Sequence, residues 1–212
     1  MKRYKSIKQK FQELTLSDLS SDQGMSSLTT KFKKERNKLL GAESRIAKLI
    51  DVEIDETARY ITFIWLTEVT PKYPDNYKYG EVDIEGDKEI ELNRSKTYEL
   101  KIRIMNFFDW LDTYPEKIEI TENDIKDIFD VSDIKVSSND PSWHWQGMNF
   151  YMSQIDGSIY PTKVPAPVWG PRHNTGDALL SKHLQSLING IDFWKSPMAS
   201  MLTKKLKQRK LI

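Results

Sequence analysis

Glu99 and Lys101, two positions apart, form the first pattern in this sequence that suggests chemistry. Alternate residues of a β-strand share one face, and some metal-dependent nucleases mount acidic residues and a lysine on a sheet in this way. Asp83, Glu85 and Glu89 lie upstream, where acidic and apolar residues alternate. Because charged residues make up 30% of the chain, the spacing arises often by chance. A solvated strand face is therefore the favoured interpretation.

The three histidines, His144, His173 and His183, all lie in the last third of the chain. Asp140 or Asp177 would supply a fourth ligand to a metal held by them. Their spacing differs from that of the usual closed zinc sites. We therefore expect loop or core histidines that make hydrogen bonds, and we predict no metal and no other cofactor.

Sequence motifs of the common enzyme classes are missing. No nucleotide-binding glycine loop, HExxH pair or nucleophile elbow occurs. Serine, histidine and aspartate are all present, but nothing in the sequence places them as a catalytic triad. The sequence therefore favours a protein that is not an enzyme.

Aromatic residues are concentrated between positions 143 and 169, where they could stack on nucleic-acid bases. Only Lys163 lies among them as a basic residue, so we expect them to pack in a core. The aromatic residues are Trp143, Trp145, Phe150, Tyr151, Tyr160 and Trp169.

Charge is distributed in blocks, although the net charge is only +1. Residues 1–50 contain 12 basic and 5 acidic residues, residues 51–130 contain 10 and 21, and residues 131–212 contain 10 and 5. Such segregation can steer partners; alternatively, basic tails simply flank an acidic folded core. The predicted partner-binding residues are Lys2, Arg3, Lys5, Lys8, Lys204, Lys205, Lys207, Arg209 and Lys210.

The chain contains no cysteine, which fits a reducing compartment. No run reaches the roughly 18 apolar residues that a membrane helix needs. The basic N-terminus lacks the apolar stretch of a secretory signal.

Hydrophobic periodicity predicts an α+β fold with a small antiparallel sheet of three to four strands flanked by helices. Apolar residues recur at near-helical spacing over residues 31–50, which predicts a helix there. Residues 58–69 are rich in β-branched and aromatic types and predict a central strand. Residues 81–92 and 96–104 alternate and predict further strands.

The second half predicts helices over about 104–113 and 122–129, the latter starting at Thr121 as N-cap, and a short strand over 133–137. An aromatic and proline-rich loop spans 140–175. Two C-terminal helices follow, one over 177–194 and one that begins with Ser196 as N-cap and Pro197 as its first residue.

Three regions follow from these patterns. Residues 1–28 predict a mobile basic and serine-rich arm, because they offer little apolar surface to bury. Residues 29–130 predict an α+β domain with an acidic surface. Residues 131–212 predict the aromatic loop and a helical C-terminal region with a basic tail.

Two short stretches resemble a known module. Residues 136–145 (VSSNDPSWHW) and residues 180–184 (LSKHL) are similar to the two halves of a SWIM-like zinc module found in proteins of large tailed bacteriophages. Ser138, Asp140, Ser181 and His183 occupy the four ligand positions, where the module carries cysteines and one histidine. The similarity covers roughly residues 133–190, and the loss of the cysteines implies that zinc is not bound.

The resemblance implies a phage-encoded structural or assembly protein of a virion, located in the capsid, neck or tail junction and made in the host cytoplasm. Its partners would be other virion proteins in a multi-subunit assembly, and no membrane. The arm at 1–28 and the helix at 197–210 would order on neighbouring subunits. The alternative is an accessory protein that binds nucleic acid non-specifically through its basic termini.

Overall fold

The computed structural model describes Leu16, Leu19 and residues 44–69, 97–140, 143–144, 147–163 and 180–212. In these residues the fold is α+β, as predicted. The elements, in chain order, are β1 (Ser44–Asp55), β2 (Tyr60–Val69), β3 (Thr97–Ile104), α1 (Phe107–Asp112), α2 (Glu122–Val131), β4 (Ile134–Ser138), α3 (Met148–Gln154), α4 (Lys182–Asn189), a 3₁₀ helix (Ile191–Trp194) and α5 (Lys195–Gln208).

The four strands form one antiparallel sheet in the order β1-β2-β3-β4. Phe63 pairs with Ile102, and Trp65 pairs with Leu100. All four side chains are fully buried, so this face of the sheet carries the core. Lys101 and the other odd-numbered residues of β3 lie on the opposite face, because side chains alternate along a strand.

The strands predicted at 58–69, 96–104 and 133–137 are confirmed as β2, β3 and β4. The strands predicted over 81–92 lie outside the described residues.

The helix predicted over 31–50 is wrong from residue 44 onward, where β1 begins; residues 31–43 lie outside the described residues. Leu49 pairs with Trp65 and Val52 with Phe63, with a register shift between Leu49 and Asp51. This bulge places residues three positions apart on one face. The spacing of apolar residues in β1 therefore resembles the spacing expected in a helix.

The sheet continues into two short helices. The helix predicted over 104–113 is confirmed but shorter, because Ile104 still belongs to β3. The start of α2 is confirmed: the Thr121 hydroxyl accepts from the Asp124 N–H at 3.2 Å, and the Asp124 carboxylate accepts from the Thr121 N–H at 2.8 Å. This capping box satisfies two free N–H groups of the first turn.

The C-terminal helices differ in detail from the prediction. Ser181 caps α4, and Gly190 ends it before the 3₁₀ helix. That helix runs directly into α5, so α5 begins at Lys195 and no serine cap is used. Pro197 is its third residue, where a missing N–H breaks no helical hydrogen bond.

Helix α5 packs on its own chain. Met198, Leu202 and Leu206 are fully buried in the core, and the helix contacts β1 and α2. Residues 197–210 are thus ordered within the chain itself, and their predicted contact with neighbouring subunits stays a prediction. None of the helices in the described part of the chain is long and apolar enough to cross a bilayer.

Two residues of the predicted N-terminal arm belong to the core. Leu16 and Leu19 are helical and are 8% and 1% exposed. The backbone oxygen of Leu19 accepts a hydrogen bond from Nε2 of Gln185 in α4 at 3.3 Å. The remaining residues of 1–28 lie outside the described residues.

The predicted loop over 140–175 contains a helix, α3, in its described part. Of the aromatic residues expected to pack in a core, Trp143 is fully buried, Phe150 and Tyr151 are half-buried, and Tyr160 is 55% exposed. Trp145 and Trp169 lie outside the described residues. Residues 157–159 run beside β4, where the Val136 N–H donates to the Gly157 oxygen at 2.8 Å and the Ile159 N–H to the Val136 oxygen at 3.0 Å. Tyr160 is thereby brought to the β4 edge of the sheet.

Candidate functional site

A polar cleft of about 150 Å³ lies where β3 and β4 meet the segment that follows α3. It has room for about five water molecules, at roughly 30 Å³ each. Its walls come from both strands, from the turn after β4 and from α3. The lining residues are Glu99, Lys101, Ser137, Ser138, Asn139, Trp143, His144, Asn149 and Tyr160.

The sheet register places two of these side chains next to each other. Lys101 of β3 pairs with Ser137 of β4, and directly opposite residues have Cβ atoms about 4.5–5.5 Å apart. Glu99 lies on the same face as Lys101, one strand period away. Carboxylate, ammonium and hydroxyl groups are thus held together by the backbone pairing.

The ammonium of Lys101 contacts two other residues of the cleft. It lies 3.1 Å from the Glu99 carboxylate and donates to the Tyr160 hydroxyl at 3.3 Å. Burial, the largest influence, lowers the pKa of Lys101, but the hydrogen bonds to Glu99 and Tyr160 together outweigh it and raise the pKa above its usual 10.5. Lys101 is therefore a cation at neutral pH and cannot serve as a base for Ser137.

Amide side chains fix the walls of the cleft. The Asn139 Oδ1 accepts from the Glu99 N–H at 2.7 Å. Asn149 is only 6% exposed. Its side-chain oxygen accepts from the Ser158 hydroxyl at 2.6 Å, and its NH₂ group donates to the backbone oxygen of Tyr160 at 3.2 Å. Buried polar groups that are bonded in this way hold a site in one conformation.

His144 lies at the rim. Burial lowers the pKa of His144, and the negative charge of Asp140 opposes this only in part. The imidazole is therefore neutral at pH 7, where it offers one donor and one acceptor.

The four positions of the zinc-module resemblance are all buried, and one of them, Ser138, lines the cleft. Nε2 of His183 lies 3.4 Å from the Asp140 carboxylate. The Ser138 hydroxyl accepts from the Asp140 N–H at 2.9 Å. The Ser181 hydroxyl accepts from the Leu184 N–H at 3.4 Å, as the cap of α4. Asp140 thus contacts both Ser138 and His183, whereas Ser181 caps α4.

Metal-binding groups are sparse in this region. Within the described ranges, no three His, Asp or Glu side chains lie close enough to share a metal ion. Asp83, Glu85, Glu89, His173 and Asp177 fall outside those ranges. Of the nuclease pattern, only the ion pair of Glu99 and Lys101 is described.

The basic tail divides into two sets. Lys205 lies 2.8 Å from the Asp51 carboxylate of β1, and Arg209 donates to the Ile54 oxygen at 3.0 Å and contacts Glu56 at 3.4 Å. These two residues connect α5 to β1 and to Glu56 after it, and their binding of a partner stays a prediction.

Three other basic residues of the tail, Lys204, Lys207 and Lys210, are exposed. The predicted N-terminal contacts Lys2, Arg3, Lys5 and Lys8 lie outside the described residues.

A second surface feature, the helix-end patch, consists of Val131, Phe193, Asp130 and Asp192. Val131 is 58% exposed and Phe193 is 88% exposed. Helices α2 and α5 pack against each other, and Ile120 before α2 bonds to Thr203 in the later part of α5.

One salt bridge lies on each of the two elements that carry the exposed apolar side chains of the helix-end patch. Lys126 pairs with Asp130 at 2.5 Å, and Lys195 pairs with Asp192 at 2.5 Å. The hydrogen bond that Lys126 donates to Asp130 is the main cause that raises the pKa of Lys126, and the negative charge of Asp192 adds to it. This interaction is consistent with the two sides of the patch lying close together.

Several of these residues escaped sequence analysis. Phe193 fell within the helix predicted over 177–194, and Asn149 had no signal in the sequence. Other cleft residues were named with different expectations: Glu99 and Lys101 for a nuclease pattern, Tyr160 for core packing, and Ser137 within the zinc-module stretch. Comparison with models of protein families, with curated proteins and with solved structures finds no similar protein.

Proposed function

We propose that this chain is a structural or assembly component of a tailed-phage virion, at the capsid, neck or tail junction, and that it acts by protein–protein contacts rather than by catalysis. The observation that carries the proposal is the helix-end patch. Phe193 is 88% exposed and Val131 is 58% exposed, and exposed apolar patches mark interaction sites.

The energetics of the patch favour a partner. Burying a phenylalanine side chain contributes about 1.5–3 kcal/mol, and aromatic residues are enriched at the centres of interfaces. The salt bridges Lys126–Asp130 and Lys195–Asp192 add charged groups to the two elements that carry Val131 and Phe193. An apolar centre with a polar rim is the usual arrangement of a protein interface.

The resemblance of residues 133–190 to the degenerate zinc module supplies the phage context of the proposal. In this interpretation Asp140 and His183 join the two halves of the module by a direct contact, and the buried aromatic Trp143 adds packing between them. The surface, and not a metal centre, then carries the function.

The test is incorporation of surface variants into particles. Phe193→Ser should leave the melting temperature within about 2 °C of wild type, because surface substitutions change stability by no more than about 0.5 kcal/mol. Its copy number in purified particles should fall at least tenfold. Ile118→Ser is the matched control, since Ile118 is also exposed, at 73%, but belongs to the loop before α2. Normal incorporation of Phe193→Ser would contradict the proposal.

Nucleic-acid binding is the second candidate function. It is favoured by the exposure of Lys204, Lys207 and Lys210 along the last turns of α5. Contacts of lysines with phosphates carry no sequence information, so such binding would be non-specific and would weaken steeply with salt. Binding to a random DNA duplex that is absent even at low salt would exclude it.

A further inference from the structure

The polar cleft at the β3–β4 edge carries an inference that is independent of the assembly role. We propose that it binds one neutral sugar unit, through Glu99, Lys101, Ser137 and Tyr160. The proposal rests on the charges in the cleft, on the hydrogen-bonding capacity left after the internal contacts, and on its size.

The charges favour a neutral ligand. Glu99 and Lys101 face the cleft as an ion pair at 3.1 Å, so their charges offset each other. A phosphate or carboxylate would have to compete with Glu99 for the ammonium of Lys101. A hydroxyl group donates to one partner and accepts from another, and neighbouring sugar hydroxyls can therefore bind both members of the pair without separating them.

The remaining hydrogen-bonding capacity suits such a ligand. Lys101 has three N–H donors, and the contacts with Glu99 and Tyr160 account for two. Glu99 has two carboxylate oxygens, of which one contacts Lys101. Asn139 uses its oxygen for the Glu99 N–H, and its NH₂ group adds two donors. Donors and acceptors thus converge on one small volume.

An aromatic ring completes the site. Tyr160 is 55% exposed, and its ring centroid lies 5.7 Å from Nζ of Lys101. The face of an aromatic ring is electron-rich, and it attracts the weakly positive C–H groups of a sugar ring. The cleft is small, at about 150 Å³, which suits a ligand on the scale of one sugar ring.

The site is built before any ligand arrives. Asn149 is buried and holds the Tyr160 backbone, while the pairing of β3 and β4 fixes Lys101 beside Ser137. Preorganisation of this kind lowers the entropy cost of binding. We therefore expect weak but specific binding, with a dissociation constant on the order of 1 mM.

The experiment is saturation-transfer NMR on the full chain with D-glucose, D-galactose, D-mannose and N-acetyl-D-glucosamine, together with amide shifts for residues 99–101 and 137–139. At least one sugar should bind and should shift these amides. Lys101→Met should weaken the binding about tenfold, because a charge-assisted hydrogen bond is lost. Tyr160→Ala should weaken it as well.

Lys135→Met is the matched control. Lys135 lies on the same face of β4 as Ser137, two residues away, and pairs with Asp156 at 2.7 Å outside the cleft lining. The Lys135→Met variant should therefore bind sugar with the same affinity as the wild type. Tyr160→Phe keeps the exposed ring and removes only the hydroxyl. It tests the contribution of that hydroxyl to sugar binding even if Lys101→Met fails to fold.

Three outcomes would overturn the proposal. The first is the absence of binding by all four sugars at about 50 mM, well above the expected dissociation constant. The second is binding that is equally strong in the Lys101, Tyr160 and Lys135 variants. The third is a shift of the cleft amides by inorganic phosphate and by none of the sugars, which would assign the site to anions.

Discussion

The carboxylate of Asp140 lies 3.4 Å from Nε2 of His183, with only 6% and 2% of the two side chains exposed. This contact connects the turn after β4 to the first turn of α4. Packing of the His183 ring against Tyr98, with ring centroids 5.2 Å apart, extends the connection to β3. Three segments that are distant in sequence are thereby joined at one buried point.

A double-mutant cycle on Asp140 and His183 tests whether this contact stabilises the fold. Each alanine substitution should lower the free energy of unfolding by about 1–3 kcal/mol, because it disrupts a buried polar contact. The coupling energy should exceed about 0.5 kcal/mol, the level reached by residues in contact. Urea denaturation of the four proteins provides the measurement, and purely additive effects would contradict the account.

The burial of Leu19 predicts how far the N-terminal region can be truncated without loss of stability. Leu19→Ala should destabilise the fold by about 2–5 kcal/mol, because the leucine is 1% exposed within the core. Removal of residues 1–14 should cost much less than removal of residues 1–28, which also deletes Leu16 and Leu19. Thermal melts of the three proteins make the comparison. Equal melting temperatures for the two truncations would show that the leucines do not contribute.

The strands show what the sequence reveals of the fold and what it hides. Strand β2 was predictable because its β-branched and aromatic residues are contiguous, and α2 because Thr121 and Asp124 form a local capping box. Strand β1 was not predictable, because its bulge near Leu49 is imposed by pairing with β2. Tertiary contacts, rather than local preference, decide such a segment.

Asp124 predicts a pH-dependent stability. Burial, the largest influence, raises the pKa of Asp124, but hydrogen bonds from Lys117 and Thr121 outweigh it, and the pKa falls below its usual 3.8. The stabilisation is therefore complete above the unfolded value, about 3.9, and is lost as the pH falls through the lower folded pKa.

Asp124→Asn should accordingly be less stable than wild type at pH 7, by on the order of 1 kcal/mol. The difference should shrink as the pH falls below about 4. Urea denaturation at a series of pH values from 7 to 2 measures it. A difference that stays constant over this range would show that the charge of Asp124 contributes nothing.

The cleft was hidden from sequence analysis for a similar reason. Lys101 and Tyr160 are 59 positions apart, and they meet only because residues 157–159 run beside β4. Sequence spacing could identify Glu99 and Lys101 as neighbours on a strand. It could not reveal that Ser137 and Asn149 complete the walls, because that depends on the register of β4 and the placement of α3.

The basic tail gives a prediction for the nucleic-acid alternative. Lys204→Ala, Lys207→Ala and Lys210→Ala should each reduce the slope of log affinity against log salt by about 0.9 for duplex DNA. Lys205→Ala and Arg209→Ala should leave the slope unchanged, because these side chains contact β1 and the residue after it. Fluorescence anisotropy with a random duplex supplies the data. Equal effects of all five substitutions would contradict this division.

Quantitative mass spectrometry of purified phage particles tests the central claim most directly. The account predicts a fixed ratio of this chain to the major capsid protein, and the copy number would then place it in a ring-shaped junction or in the capsid lattice. Absence of the chain from particles, while it is abundant in infected cells, would contradict the assembly role and favour the nucleic-acid alternative.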